Sequence, residues 1–237
     1  MNRRTQPAFR DGSRAFRCAA TAVLLLAAAS GCARLGFRAA DGQRPLRVVR
    51  KPSGPDAKTP FKVGESVELP FYVVNNSVVP PPRNFALSGF MGDITDLNAV
   101  GSYTNLLVKG RAVLKFKYEP KGNNGWAGAT WQNPPNSWGV YDGGYNLGEA
   151  RKLVFWARGD KGGEVVEFTA GGAAANYPDS DSIATGPILL GREWTEYIVD
   201  LTPFQLFYIS TGFGLVVKHD QNPYGCVFYL DDIRYEK

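Results

Sequence analysis

Residues 111–119 read RAVLKFKYE. Ala112, Leu114, Phe116 and Tyr118 share one parity, and Lys115, Lys117 and Glu119 the other, with Val113 the exception. A period of two with one apolar and one charged face is the pattern of an antiparallel strand buried on one side. Similar runs recur along the chain: PFYVV (70–74), RKLVFWAR (151–158), EVVEF (164–168), WTEYIVDL (194–201), GFGLVV (212–217) and CVFYLDDIRYE (226–236). In WTEYIVDL, Tyr197, Val199 and Leu201 fall on one face. The chain holds 27 Gly and 16 Pro, which suits many short strands and turns rather than long helices. No window supports a long amphipathic helix, and a short helical turn is expected near Pro203–Phe207. No internal repeat is evident. These features predict an all-β sandwich or barrel.

The 13% aromatic and 21% charged content of the 237 residues is enough apolar material for a folded core and argues against global disorder. A formal net charge of +5 invites a nucleic-acid reading, but the charge is unevenly placed. Residues 1–31 hold Arg3, Arg4, Arg10, Arg14 and Arg17 against Asp11, while the remainder carries 22 Lys+Arg against 21 Asp+Glu. The body of the chain lacks the basic stripe that phosphate binding requires, so no nucleic-acid partner is expected.

The basic N-terminus leads into an apolar run, AATAVLLLAAAS (19–30), followed by Gly31 and Cys32. The run is too short for a stable membrane span and has the plan of a signal-peptide core. Small residues directly before a Cys resemble the lipobox of bacterial lipoproteins, although Ala29 stands where that family prefers Leu. The resemblance implies a signal peptide over 1–31, lipidation of Cys32, and a membrane anchor at the cell envelope, on the outer membrane if the cell is Gram-negative. Ordinary secretory cleavage is the alternative. Residues 32–65 are rich in Arg, Gly, Pro, Asp and Ala without periodicity, and read as a flexible tether. With the signal segment, which holds Cys18, removed and Cys32 acylated, Cys226 has no partner left in the mature chain, and its apolar strand context points to a buried, inert thiol. The folded domain is expected over 66–237.

Ser88–Asp93 (SGFMGD), Gly125–Gly128 (GWAG) with Trp131–Gln132, Leu153–Gly163 (LVFWARGDKGG) and Phe228–Ile233 (FYLDDI) together resemble the jelly-roll, galactose-binding-like domains common among bacterial carbohydrate-binding modules. The resemblance spans roughly residues 70–236. It implies a jelly-roll β-sandwich and binding of a polysaccharide or oligosaccharide. Members of that family often hold a structural Ca²⁺ through acidic side chains of the first and last strands. Carried onto this sequence, that implies Asp231 and its neighbour Asp232, with Asp93 or Glu68 as the N-terminal partner. Carboxylates and carbonyls are the oxygen donors such a hard cation takes. Alternatively, Asp231 accepts backbone hydrogen bonds at a strand end.

Residues 123–146, NNGWAGATWQNPPNSWGVYDGGYN, place Trp126, Trp131, Trp138, Tyr141 and Tyr145 among turn-forming Gly, Asn and Pro. Aromatic faces can stack on sugar rings while amides and carboxylates bond their hydroxyls. The candidate ligand-binding set is therefore Trp126, Trp131, Gln132, Asn136, Trp138, Tyr141 and Asp142, with Tyr177 from the loop NYPDSDS (176–182). Trp126 and Trp131 have opposite parity, so a regular strand cannot present both on one face. One of them is expected in the core.

Catalysis finds little support. His219 is the single histidine, and no serine-elbow or zinc motif is present. Glu164 and Glu167 have opposite strand parity and do not make an obvious acid–base pair. The expectation is non-catalytic carbohydrate binding. An envelope assembly protein that docks another protein is the alternative, and a polysaccharide hydrolase or lyase a third.

Overall fold

The computed structural model describes residues 46, 48–50, 62–75, 84–108 and 111–237. These lie within one compact unit. The signal segment and Cys32 lie outside the described residues, and no helix among those described is long and apolar enough to cross a membrane.

Fourteen strands follow in chain order among the described residues. They are β1 (Val49–Arg50), β2 (Glu65–Ser66), β3 (Phe71–Val74), β4 (Ala86–Gly92), β5 (Leu97–Val108), β6 (Arg111–Tyr118) and β7 (Trp126–Gln132). Then come β8 (Tyr145–Asn146), β9 (Lys152–Gly159), β10 (Val165–Gly171), β11 (Ser182–Leu189), β12 (Thr195–Asp200), β13 (Thr211–Lys218) and β14 (Cys226–Glu236). One sheet has the order β1-β11-β10-β13-β7-β4. The other has the order β12-β9-β14-β6-β5, with β3 also pairing β14. The pairings within these two sheets are antiparallel. Together they form a jelly-roll β-sandwich, the fold that the resemblance implied, and a sandwich is one of the two architectures that the alternating runs left open.

The core forms where the two inner faces meet. Phe116 of β6 stacks on Phe228 of β14 at 5.2 Å between centroids. Phe155 of β9 meets Phe168 of β10 at 4.6 Å and Phe213 of β13 at 5.2 Å. Trp131 of β7 lies 5.6 Å from Phe213 and 6.0 Å from Phe116, bridging the sheets. Removing rings of this size from water contributes about 1.5–3 kcal/mol each, and edge-to-face geometry adds to it.

Three details depart from the sequence reading. Parts of the expected tether pair with the sandwich: Val49–Arg50 lie against β11, the Leu46 amide donates to the Ile198 carbonyl at 2.7 Å, and Glu65–Ser66 pair with β8. Backbone groups satisfied in this way hold those residues to the domain. Pro203–Phe207 contains a turn, closed by the Phe204 amide on the Leu201 carbonyl, and not a helix. Strand β14 changes partner part-way. Cys226–Leu230 pair with β6, and Ile233–Tyr235 with β3, on either side of an irregularity where Asp232 adopts φ 51°.

Candidate binding trough

The site begins with the turn before β7. Asp93 follows β4, and its amide donates to the Trp126 carbonyl at 2.9 Å. Its Oδ1 accepts from the amide and side-chain Nδ2 of Asn124, and its Oδ2 accepts from the Gly125 amide at 2.9 Å. Asp96 Oδ2 accepts from the amides of Lys121 and Gly122 at 2.7 and 2.9 Å, and these hold its carboxyl below the usual carboxylate range. The two carboxylates thus fix residues 121–125 and so set where Trp126 enters the sheet. Gly92, at φ 67°, lies under the Trp126 ring, where a side chain would collide with it.

From Trp126, β7 alternates. Ala127, Ala129 and Trp131 turn into the core, while Trp126, Gly128, Thr130 and Gln132 face the outer side of the sheet. Their neighbours in register extend that side: Met91 on β4, Lys218, Val216 and Thr211 on β13, and Glu167 and Thr169 on β10. Trp138, on the loop after β7, returns over this surface. Apart from Gly128 and Gln132, these residues, with Gly171–Ala173, Ser182 and Ile183, line a trough of about 480 Å³, a size typical of small-ligand sites. Glu167 and Lys218 approach to 3.6 Å across β10 and β13.

The Trp138 loop is braced by its own polar groups. Ser137 Oγ accepts from the Tyr141 amide and donates to its carbonyl, and Asn133 Nδ2 donates to the Gly143 carbonyl. The Asn136 amide donates to Ser88 Oγ at 2.8 Å, and Asn136 Oδ1 accepts from the Trp138 indole N–H at 3.0 Å. Tyr177 contributes its amide to the Gly139 carbonyl.

The eight candidate ligand residues therefore separate. Trp126 and Trp138 line the trough, and Gln132 lies beside Trp138 at its end. Trp131 is a correction: it is 3% exposed among Phe116 and Phe213, because its parity turns it to the inner face. Asn136 is a brace for the indole. Tyr141 is 66% exposed and stands outside the trough lining. Asp142 is engaged by Lys62 Nζ and by the Tyr208 hydroxyl at 2.9 Å, and the Lys62 hydrogen bond chiefly holds its carboxyl low. Lys62 also lies 5.0 Å from the centre of the Tyr177 ring, so Asp142 and Tyr177 belong to a clamp on the N-terminal segment.

Asp93 and Asp232, two of the three carboxylates that the resemblance implied for calcium, are engaged within the protein. Asp93 is committed to turn amides, and Asp232 Oδ2 to Arg234 Nη1 at 2.9 Å. Among the described residues no three His, Cys, Asp or Glu side chains gather where a metal ion could sit. Glu68 is exposed.

A second recess of about 440 Å³ opens between residues 160–164 and 221–227, rimmed by the fully exposed Tyr224. It contains Cys226, whose thiol is pushed up to about 12, chiefly by burial and then by the Glu164 charge, which leaves it unreactive. No indole lines this recess.

Sequence reasoning missed Met91, Glu167, Thr169, Thr211 and Lys218. One signal was available. In EVVEFTA, Glu167 and Thr169 alternate with Val166 and Phe168, marking a polar outer face on β10.

No family model matches this chain, and no curated protein matches it. Among solved structures it is similar to a family 30 carbohydrate-binding module at 16% identity, covering 63% of this chain and 82% of that one, with a TM-score of 0.46. It is also similar to the family 30 module of a cellulosomal cellulase of Clostridium thermocellum, at 14% identity, 65% and 92% coverage and a TM-score of 0.46. A third is the family 11 module from Clostridium thermocellum in complex with a β-1,3-1,4-mixed-linked tetrasaccharide, at 12% identity, 65% and 89% coverage and a TM-score of 0.43.

Proposed function

We propose that the trough binds a saccharide chain without cleaving it. The observation that carries this reading is the placement of two indoles, Trp126 and Trp138, on one trough with the hydroxyl-bearing side chains of Thr169 and Ser182. Ring faces cover the CH surfaces of sugars, and hydroxyls answer their OH groups. From Trp126 to Thr130, beside the Trp138 ring, β7 advances about 13 Å at ~3.3 Å per residue, long enough for more than one sugar ring. Glu167 is the one carboxylate among the described residues lining the trough, and it is paired with Lys218. Glycoside hydrolysis ordinarily needs two carboxylates flanking the bond.

The test is a glycan array followed by titration. Wild type is expected to bind at least one glycan class, and Trp126→Ala to weaken that binding by about tenfold or more. Silence across plant, algal and bacterial glycans would remove the saccharide reading. It would favour a protein partner at the adjacent exposed pair Val140 and Tyr141.

We also propose that Cys32 carries the lipid that holds this domain at the cell envelope, on the strength of the small residues and apolar run before it. Mass spectrometry of the mature protein is expected to find acyl chains on Cys32. An unmodified thiol there would overturn the anchor.

A further inference from the structure

Beside the open trough, β7 carries polar atoms that no group among the described residues answers. Gln132 is 1% exposed and Thr130 is 3% exposed. Gln132 Oε1, Gln132 Nε2 and Thr130 Oγ1 are all buried without a hydrogen-bond partner. Buried polar groups in native proteins are almost always paired, and leaving them unpaired is costly. Three such atoms on neighbouring outward positions of one strand call for a specific explanation.

Their cover is the Trp138 ring. Gly89 of β4 lies opposite Thr130 in register. A Cβ placed on Gly89 would stand 2.4 Å from Thr130 Oγ1, 2.9 Å from Trp138 Cζ2 and 3.0 Å from Gln132 Cδ. The three side chains therefore converge on one point above that glycine, with the indole edge against the hydroxyl and the amide. Trp138 and Thr130 also line the trough, so the covered atoms adjoin its open part.

We propose that Thr130 and Gln132 form a hydrogen-bonding subsite at the end of the trough, shuttered by Trp138, and that a hydroxyl-rich ligand displaces the ring to reach them. This rests on reading the trough as a saccharide site. The ring is free to act as a shutter because its own N–H is satisfied by Asn136 on the same loop and makes no bond to the floor. Its backbone frame is fixed by Ser137, Tyr141 and the Ser88 hydroxyl. Asn136 and Trp138 sit at φ 54° and 53°. Non-glycine residues seldom adopt that region, and such strain concentrates at ligand clamps and switches. The ligand class follows from the donor set. A carboxamide offers one acceptor and one donor group side by side, and a threonine hydroxyl does both. Adjacent sugar hydroxyls, each donating and accepting, satisfy all three atoms. An apolar ligand satisfies none of them.

The experiment uses the full domain and a panel of cello-, manno- and xylo-oligosaccharides of six units. The double variant Thr130→Val/Gln132→Met keeps side-chain volume and removes the polar atoms. It is expected to melt no lower than wild type, because atoms without partners contribute nothing to folding. It is expected to bind the best panel sugar at least about tenfold more weakly. Trp138→Ala, read by stopped flow, is expected to raise the association rate by removing the shutter. A double variant that binds as tightly as wild type, or melts several degrees lower, overturns the subsite while the trough reading stands. An unchanged association rate for Trp138→Ala overturns the shutter. If no panel sugar binds wild type and the glycan array is silent as well, the saccharide reading falls and the proposed ligand with it.

Discussion

Trp126 and Trp131 stand five residues apart on the same strand, and they serve opposite ends. Trp131 locks the two sheets together through Phe116 and Phe213, while Trp126 lines an open trough. Composition cannot separate them, since both are indoles amid Gly, Ala and Thr. Parity does. The odd spacing sends one ring inward and the other outward, and the side of the sheet that meets a second sheet becomes the core. The comparison teaches that an aromatic-rich segment is neither a core nor a binding surface as a whole.

Stability measurements on the two indoles would break this comparison most decisively. Trp131→Ala is expected to cost about 3–5 kcal/mol in chemical denaturation, the range for deleting a large ring from a packed core. Trp126→Ala is expected to lose ligand while its stability changes far less. Equal losses of stability would mean that both rings are structural. A smaller effect sharpens the account of how Trp126 is placed. Asp93→Ala removes the acceptor for the Asn124 and Gly125 donors, and about 1–3 kcal/mol is expected to be lost. Glycan binding is expected to weaken with it, because the turn that delivers Trp126 loosens. If the turn holds without Asp93, affinity will be untouched.

The smallest effect is one of pH. The amides of Gly122 and Lys121 hold the Asp96 carboxyl below its ordinary value of 3.8. A depressed folded-state pKa contributes stability above the unfolded value, and that contribution disappears as the pH falls through the folded value. Wild type should therefore lose melting temperature in strong acid, below the usual carboxylate range. Asp96→Asn should lose less over the same interval, starting from a lower value at neutral pH. Parallel acid limbs for the two proteins would show that Asp96 carries none of the dependence.

The alternation in RAVLKFKYE and its sister runs made the sandwich legible, because half-buried strands advertise their faces locally. β11 was not legible: SIATGPIL carries Gly186 and Pro187 inside it, residues that argue against a strand interior. The trough was half legible. Trp126 and Trp138 stood out as rings among turn residues. Its other wall comes from β10 and β13, which join β7 only through the order β10-β13-β7, and no local spacing encodes that. The clamp of Lys62 on Asp142 was hidden for the same reason, since the two residues lie 80 positions apart. The role of Asp93 in its turn was not legible either, because a carboxylate that caps a turn and one that binds a cation look alike in sequence.

The change of partner along β14 bears on the rate of folding. Cys226 pairs opposite Tyr118, and Ile233 opposite Val74, so the spine of one sheet joins segments distant in the chain. The entropy of closing such long loops must be met before the contacts reward it, which places folding in the slow range of milliseconds to seconds for two-state β proteins. Until β14 docks, β9, β6 and β3 expose unpaired edges at what will be the middle of the sheet. The kinetic hazard of this protein is therefore aggregation through its future centre and not through its rim.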